Sequence, residues 1–242
     1  MAASKITGKY TGVARDIEMI VVNMSNALGL VTGLQMSDAY LKIRRHIQKY
    51  NSRKDCIIQM SIGYPIDSQE IKNLDTKAFF GLFRLKNVIV VASAGNKNPD
   101  KVITSVPQRY LHNAGVLRSL SKRFVVVGAY NQEGNGNAIF QTAPFVKVSG
   151  PDPSLVASAL QAQYGYLGAG DPDPLGLRSG TSFTSPAVTG TMAMWLAAGI
   201  FTIDNIVEGM YKLAYNRTEK GPNVLYNGIT EDDWARTLNK GP

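Results

Sequence analysis

The fold of this chain is decided by the stretch Ser179-Gly180-Thr181-Ser182-Phe183-Thr184-Ser185-Pro186-Ala187-Val188-Thr189-Gly190. Gly180 permits a tight turn that a Cβ atom would obstruct, and an apolar helix is predicted from Ser182 to Ala198. Pro186 falls in the first turn of this helix or just beyond it, where a missing N–H costs little. The helix N-terminus places N–H groups and a positive partial charge beside the Ser182 hydroxyl. That position suits a nucleophile, although a lone Gly-Thr-Ser is more simply interpreted as a helix cap.

Size and composition limit the classes of protein to consider. The chain has 242 residues, a formal net charge of +8 and one cysteine, Cys56, which is expected in the core. This length is enough for one large domain. No apolar stretch is long enough to span a bilayer, and no signal region follows the N-terminus. The basic residues are scattered, and the run 42–49 has the spacing of a solvated helix face. We therefore expect neither a nucleic-acid partner nor a membrane partner.

Short apolar runs rich in β-branched residues predict buried parallel strands, because they are nearly continuous rather than alternating. Helical patterns lie between them, over 37–50, with Ser37 as the expected N-cap, and over 68–85. This alternation predicts an α/β fold with a mostly parallel sheet flanked by helices. A loop-rich region over 131–180 and a second C-terminal helix complete the prediction. The predicted strands cover 17–22, 56–61, 88–93 and 124–129, with short ones over 138–141 and 145–148, and the second helix covers 203–215.

Two strand ends carry residues that suit peptide chemistry. The segment Ala92-Ser93-Ala94-Gly95-Asn96 ends a buried strand, which is where parallel sheets place ligands. The Asn96 amide can donate to a developing oxyanion, an interaction worth about 3–4 kcal/mol, although a plain Gly-Asn turn is the simpler interpretation when it is taken alone. Ser61-Ile62-Gly63 ends a second strand and could pair with an extended peptide.

Together these segments resemble the subtilisin-like serine peptidases, or subtilases, in the order of that family. The resemblance spans about residues 12–228, with weaker similarity over 12–22, 124–129 and 145–152. The family pattern Gly-Thr-Ser-x-x-x-Pro-x-Val-x-Gly matches at Gly180, Thr181, Ser182, Pro186, Val188 and Gly190. The oxyanion segment of the family matches at Ala94, Gly95 and Asn96. The substrate strand of the family, usually Asn-Met-Ser-Leu-Gly, matches as Gln59-Met60-Ser61-Ile62-Gly63.

The resemblance implies a three-layer subtilisin-like fold and the hydrolysis of peptide bonds in polypeptide substrates. Ser182 would attack the scissile carbonyl, and Asn96 with the N–H of Ser182 would hold the oxyanion. Tyr64 stands where many relatives have glycine and is expected to narrow the first specificity pocket. The residues implied to flank the substrate are Ser61, Ile62, Gly63, Ala92, Ser93, Ala94 and Gly95.

The chain departs from the family in its catalytic acid and base. The family's Asp-Ser/Thr-Gly and His-Gly-Thr motifs precede a Gly-Val-Ala turn, which here already stands at residue 12. We therefore predict that the N-terminal strand and the histidine helix are missing, so that residues 1–242 form a partial peptidase domain. His46 and His112 lack the Gly-Thr context and are not expected to act as the base. Asp16, Asp67 and Asp75 are likewise rejected as the triad aspartate.

Two hypotheses follow. In the first, the chain is the C-terminal two-thirds of an active serine endopeptidase, whose Asp and His come from an upstream segment or a partner subunit. The chain alone would then be inactive or very weak, because a serine without a base is a poor nucleophile. In the second, it is an inactive pseudo-peptidase that binds peptides or a protein. The absent strand would leave one flank of the sheet uncovered and apolar, which predicts a partner. No cofactor is evident; calcium and secretion are suggested by the family resemblance, without assignable calcium ligands.

Overall fold

A computed structural model of the chain describes residues 2–24, 31–64, 68–96, 102–136, 140–157 and 175–226. The helices are α1 Ala2–Thr7, α2 Gly33–Tyr50, α3 Gln69–Leu82, α4 Ala114–Leu120, α5 Thr181–Ala197 and α6 Ile206–Leu213, with a 3₁₀ helix over Gln108–His112. The strands are β1 Cys56–Met60, β2 Val88–Ser93, β3 Phe124–Tyr130, β4 Val148–Pro151, β5 Ser154–Ala157, β6 Leu175–Arg178, β7 Tyr215–Asn216 and β8 Asn223–Val224.

The main sheet has the strand order β1-β2-β3-β4-β8-β7, and β5 pairs with β6 in a separate two-stranded sheet. Strands β1 to β4 and β8 run parallel, whereas β7 is antiparallel to β8. β2 is buried along its whole length, because helices cover both faces of the sheet. This arrangement explains the continuous apolar runs in the sequence and confirms the predicted α/β fold with a mostly parallel sheet.

Two apolar clusters lie on opposite faces of the sheet. One joins α2 and α3 to the sheet around Phe79, which is fully buried among aromatic rings. The other joins α5 and α6 to the sheet around Met192 and Met210. The architecture therefore has three layers, as predicted. No helix among the described residues is both long and apolar enough to cross a membrane.

Most predicted elements are found, with shifted ends. The strand over 88–93 is confirmed residue for residue, and helix α3 begins after Ser68, whose side chain accepts from Ile71 N. Helix α2 begins at Gly33 rather than Ser37, because Thr32 and Gln35 form a capping box at its start. The predicted N-cap role of Ser37 is wrong: this residue is buried, and its Oγ donates to Gly33 O.

The loop-rich region was predicted less well. The strand expected over 145–148 is wrong, because Val146 N bonds to Ala143 O in a turn and the strand starts at Val148, opposite Val127 of β3. The strand expected over 138–141 lies partly outside the described residues, and Phe140 forms an isolated bridge there. The helix expected over 203–215 is shorter, at Ile206–Leu213. The extent of the peptidase domain over 1–242 stays a prediction.

The strand predicted over 17–22 is also wrong. This segment has no regular secondary structure and belongs to neither sheet, and Ile20, Val21 and Val22 are exposed. A strand needs a neighbour that accepts and donates its main-chain hydrogen bonds, and the main sheet ends at β1. For the same reason Cys56, expected in the core, is only half-buried on this terminal strand.

Candidate active site

The candidate residues meet at the carboxyl ends of β1 and β2, where helix α5 begins. Ser61, Ile62 and Gly63 follow β1 directly, and Ala94, Gly95 and Asn96 follow β2. Because β1 and β2 are neighbouring parallel strands, their carboxyl ends open on the same edge of the sheet. This edge is where α/β proteins place their ligands.

Asn96 is hydrogen-bonded to the start of α5. Its Oδ1 accepts from Thr181 N at 2.9 Å and from Thr181 Oγ1 at 3.0 Å. Thr181 Oγ1 in turn accepts from Gly95 N at 3.0 Å. Because both partners of Oδ1 are donors, the amide nitrogen of Asn96 faces the other way, and its N–H groups have no acceptor among the described residues. This orientation suits a donor that is aimed at an oxyanion beside Ser182.

Ser182 is half-buried in the first turn of α5, and the substrate-strand segment is fixed to it. Ser61 Oγ donates to Ser182 O at 2.6 Å. Gln59 Nε2 donates to Ser61 Oγ at 2.9 Å and to Ser185 Oγ at 2.7 Å. The glutamine that replaces the family's usual asparagine therefore connects β1 to the helix that carries Ser182.

Asp152 fixes the turn that precedes Ser182, a role that the sequence analysis missed. Its carboxylate is buried; Oδ1 accepts from Gly180 N at 2.8 Å and Oδ2 accepts from Ser179 Oγ at 2.9 Å. Asp152 and Gly180 are separated by 28 residues in the chain. An Asp-Pro pair in a loop rich in glycine and proline carries no local signal of such a distant contact.

Two glycines are required by the backbone of the site. Gly180 has φ +140° and Gly95 has φ +110°, values that L side chains rarely adopt. A Cβ at Gly95 would also lie 2.1 Å from Gln141 Oε1. The turn into α5 and the turn into Asn96 are therefore both closed to larger residues.

Gln108 is a second residue that the sequence analysis missed. Its side chain is buried, and Nε2 donates to Ile62 O at 3.1 Å and to Ser93 O at 2.7 Å. It therefore bridges the two segments that the resemblance assigns to the flanks of a substrate. Both partners are carbonyl acceptors, so the amide nitrogen faces them and Oε1 is left buried without a partner within the described residues.

Tyr64 is buried in the layer formed by α2 and α3, and the expected narrowing of the first specificity pocket by this residue stays a prediction. Its hydroxyl donates to Asp75 Oδ1 at 2.6 Å and lies 3.1 Å from the hydroxyl of Tyr40. Tyr110 donates to the other oxygen of Asp75 at 2.7 Å. Burial raises the pKa of Asp75, and the hydroxyl donors oppose this effect. The ring of Tyr64 thus belongs to the layer formed by α2 and α3.

Neither histidine is directed at Ser182. His112 Nε2 lies 3.0 Å from Ile103 O, and its ring packs against Phe145 at 5.2 Å. His46 is half-buried on α2 and packs against Tyr50 at 4.9 Å. Among the described residues, neither imidazole hydrogen-bonds to Ser182. In the same part of the chain, no three His, Cys, Asp or Glu side chains are grouped so that they could hold a metal ion.

Comparisons with known proteins show the family and the fold of the chain. The model of the subtilase family matches residues 1–207. The chain is similar in structure to the prenylagaramide maturation protease PagA, with a TM-score of 0.63 and 20% identity over 92% of this chain and 77% of that one. It is also similar to a cold-adapted subtilisin-like serine proteinase, with a TM-score of 0.66 and 19% identity over 95% of this chain and 74% of that one. At such identities these two structures show the fold alone. No curated protein matched the chain.

Proposed function

This chain belongs to the subtilase family of peptidases, and from that premise we propose that it supplies the nucleophile and the oxyanion site of a serine endopeptidase. Ser182 attacks the scissile carbonyl carbon. The Nδ2 of Asn96 and the main-chain N–H of Ser182 then donate to the oxygen as it becomes an oxyanion. Protease function in general follows from the family; these assigned roles are the proposal.

One observation carries the proposal: hydrogen bonds join three segments around Ser182 that lie far apart in the chain. Thr181 is bonded to Asn96 across 85 residues, and Ser61 is bonded to Ser182 across 121 residues. A helix cap needs none of these contacts, since its partners lie within its own first turn. A preorganised donor beside a serine at a helix N-terminus is, by contrast, what acyl transfer requires.

The proposed substrate site lies between the same segments. An extended polypeptide would be flanked by Ser61, Ile62 and Gly63 on one side and by 92–95 on the other, and its main chain would pair with these segments as an added strand. Gln108 Nε2 donates to both Ile62 O and Ser93 O, and these two hydrogen bonds hold the two segments at a fixed separation. It therefore acts as a positioning residue, because it sets the width of the site without contacting the reacting atoms.

The catalytic acid and base are proposed to come from an upstream segment or a partner subunit. His46 and His112 are engaged with other residues, and a serine without a base is a weak nucleophile at neutral pH. The chain by itself is then inactive or very weak. The engagement of both histidines also favours the alternative, in which the chain is a catalytically inactive module that holds a peptide at the same segments.

A fluorophosphonate probe separates the two functions. Ser182 should be labelled faster than an exposed reference serine, Ser119, when an upstream segment with Asp-Ser/Thr-Gly and His-Gly-Thr motifs is supplied. Ser182→Ala should abolish this labelling and lower peptide hydrolysis by about 10⁴–10⁶-fold. Peptide mapping by mass spectrometry measures both serines in one sample. Labelling of Ser182 at the rate of Ser119 in the complemented protein would favour the binding module instead.

A further inference from the structure

Asp75 of helix α3 is a buried carboxyl group that the proposed mechanism does not use. It is fully buried, and its nearest polar neighbours are hydroxyl groups. Tyr64 Oη donates to its Oδ1 at 2.6 Å, and Tyr110 Oη donates to its Oδ2 at 2.7 Å. Among the described residues, no Lys, Arg or His side chain forms an ion pair with it. Because a buried carboxylate without a cation is costly, this residue is a candidate for a functional role.

The hydroxyl groups around Asp75 form two arms whose donors both point toward the carboxylate. A phenol has one proton to donate, so Tyr64, which gives its proton to Asp75, accepts from Tyr40 at 3.1 Å. In the same way, Tyr110 gives its proton to Asp75 and accepts from Thr76 Oγ1 at 3.1 Å. An ionised carboxylate accepts at both oxygens and satisfies both arms at once. A protonated one has a proton of its own to donate, and the two bonded phenols can accept it only if one arm reverses.

The remaining groups near Asp75 do not change this balance. Ser37 Oγ of α2 lies 3.4 Å from Oδ1, but its proton goes to Gly33 O at 2.8 Å, and 3.4 Å is long for a hydrogen bond. The charged side chains of the neighbouring elements are engaged elsewhere or lie at the surface: Asp38 and Lys42 pair with each other, Arg44 packs against Gly81, His112 bonds to Ile103 O, and Glu70, Lys72, Lys77 and Arg109 are exposed. The state of the two arms therefore depends on the proton of Asp75.

The first arm ends at the proposed substrate segment. Tyr64 directly follows Gly63, the last residue of that segment. Its main chain pairs with Val106, through hydrogen bonds of 3.2 Å from Tyr64 N and 3.1 Å from Val106 N. A Cβ atom at Gly63 would lie 2.7 Å from Ser105 Cβ, so the two segments are in close contact. The Tyr64 hydroxyl thus ties the end of the substrate segment to α3.

The second arm ends at the segment that supports the first. Tyr110 lies on the 3₁₀ helix, two residues after Gln108. Gln108 Nε2 bonds to Ile62 O at 3.1 Å and to Ser93 O at 2.7 Å. Asp75 therefore fixes, from α3, the same two segments that Gln108 joins to the end of β2. Its two oxygens are the point at which both segments are attached to the helical layer.

We propose that Asp75 is a positioning residue of the peptide site, whose ionised carboxylate holds residues 61–64 in place for pairing with a polypeptide, and whose protonation loosens them. Ser182 and Asn96 remain the reacting and stabilising groups, so the effect is on substrate binding rather than on the chemical step. Burial raises the pKa of Asp75, and its proton is therefore taken up at a less acid pH than that of an exposed aspartate. This inference rests on the proposed function and adds a control of its substrate site by pH.

The pH dependence of KM tests the proposal. Asp75→Asn keeps the shape of the side chain but is neutral and has one oxygen instead of two, so it stands for the protonated state. The enzyme is complemented with an upstream segment that carries the Asp-Ser/Thr-Gly and His-Gly-Thr motifs, and oxidised insulin B chain is the substrate. KM of the variant should exceed that of the wild type by about tenfold at about pH 8. This ratio should approach one as pH falls through the raised pKa of Asp75, with kcat changed by less than about threefold.

Two further variants control this measurement. Asp38→Asn is the matched control, since Asp38 is an exposed aspartate on α2 that pairs with Lys42; its KM should stay within about twofold of the wild type. Tyr110→Phe removes one donor to the carboxylate and keeps the test valid if Asp75→Asn does not fold. Its KM should rise by about two- to fivefold at about pH 8 and converge with the wild type in acid. A KM ratio that does not depend on pH, or a fall in kcat at constant KM, would overturn the proposal.

Hydrogen exchange of the chain without substrate gives a second readout. The amides of Tyr64 and Val106 bond across the pair of segments. At about pH 7, their protection factors should be at least about fivefold lower in Asp75→Asn than in the wild type, and they should converge at about pH 4. Val91, in the middle of the sheet, should be equally protected in both proteins. Equal protection of Tyr64 and Val106 in both proteins at about pH 7 would show that the carboxylate does not hold the segments.

The two readouts keep this proposal separate from the proposed function. If the complemented enzyme does not hydrolyse the peptide, the proposed function fails, and the exchange measurement still decides whether Asp75 holds the two segments. If hydrolysis proceeds while KM and exchange are the same in Asp75→Asn as in the wild type, the proposed function is retained and the positioning role of Asp75 is rejected. A pH-dependent KM ratio together with pH-dependent protection supports both.

Discussion

Strand β1 has two borders with opposite character. At its carboxyl end, Ser61 is bonded to Ser182 O at 2.6 Å and to Gln59 at 2.9 Å, so that the segment is fixed from two directions. Along its lateral edge, Ile57 and Gln59 have no strand partner among the described residues, and Thr189 Oγ1, which lies beside the adjoining groove, makes no hydrogen bond within them. The first border is held by hydrogen bonds, whereas the second has no neighbouring strand among the described residues.

The difference separates the region of the proposed nucleophile, which side-chain hydrogen bonds hold in place, from a strand edge that has no strand partner among the described residues. The contacts around Ser182 are made by side chains of α5, β1 and the loops that follow β2 and β4, all within the described residues. The lateral edge instead depends on main-chain bonding, which only another strand can supply. Five changes test this difference, from the largest expected effect to the smallest.

Asn96→Asp should separate catalysis from stability at the complete border. The variant keeps an acceptor for Thr181 N but loses the donor proposed for the oxyanion. Turnover of a peptide substrate by the complemented enzyme should fall by about 10²–10³-fold, or about 3–4 kcal/mol, with little change in the free energy of unfolding. Asn113→Asp, which keeps the N-cap of α4, is the control. A fall of less than tenfold would contradict the proposed role of Asn96.

Asp152→Ala should weaken both stability and turnover. It leaves Gly180 N and Ser179 Oγ without their buried acceptor, and hydrogen bonds to a charged group contribute about 1.5–3 kcal/mol each. We expect the free energy of unfolding to fall by about 3 kcal/mol, measured by urea denaturation. Asp204→Ala, at an exposed position, should change it by less than about 0.5 kcal/mol. Equal values for the two variants would show that the turn is held by other contacts.

Gln108→Met tests the bridge behind the proposed substrate segments. The change keeps the volume of the side chain but removes the donor to Ile62 O and Ser93 O. The expected loss of unfolding free energy is about 2 kcal/mol, because two buried carbonyls lose their partner. KM should rise more than kcat falls, since the residue positions the site. Gln48→Met, exposed on α2, is the control, and a loss as small as this control's would reject the bridge.

Tyr64→Phe should have a pH-dependent effect, because it removes a donor to the carboxylate of Asp75. Burial raises the pKa of Asp75, so the native state binds its proton more tightly than the unfolded state, and this group's contribution to stability falls as pH rises through the raised pKa. The variant should lose about 1–1.5 kcal/mol at neutral pH and less near pH 4, measured by urea denaturation. Tyr40→Phe, which does not bond to Asp75, should show no such pH dependence; a pH-independent loss in Tyr64→Phe would contradict the mechanism.

Thr189→Val should have the smallest effect on the free energy of unfolding, and this effect should be stabilising, in contrast to the other variants. It removes a buried hydroxyl that has no partner among the described residues, so the free energy of unfolding should rise by about 0.5–1 kcal/mol. Thr191→Val removes a hydroxyl bonded to Ala187 O and should lower it by a similar amount. Thermal or urea denaturation of both variants measures the difference. Destabilisation by Thr189→Val would mean that this hydroxyl is satisfied in solution.

The fold was largely predictable, since the signals that define it are local. Continuous apolar runs predicted β2 and β3 because both faces of these strands are covered. The same logic failed over 17–22, where the run is also largely apolar but no strand of the described residues lies beside it. An apolar run indicates that its side chains favour burial. It carries no information on whether a neighbouring strand is present to pair with its main-chain groups.

The candidate site was predictable in part. Ser182, Asn96 and Ser61 were identified from motifs, and the structure brings them to one edge of the sheet. Asp152 and Gln108 were missed because their partners are distant in the chain. Asp152 contacts Gly180, 28 residues away, and Gln108 contacts Ile62, 46 residues away. The contact of the Tyr64 hydroxyl with Asp75 was also missed, since a tyrosine after a strand can turn toward either layer.

The sequence by itself determined the class of fold, the family, and the residues at the turn into α5, because periodicity and short motifs are properties of neighbouring residues. Only the tertiary structure decided which polar groups are satisfied. In the structure, Asp152 bonds to the turn before Ser182, and Gln108 bonds to the two flanking segments. Among the described residues, neither Thr189 Oγ1 nor the lateral edge of β1 has a partner. The physical reason is that a hydrogen bond depends on the approach of two atoms in space, whatever their separation along the chain.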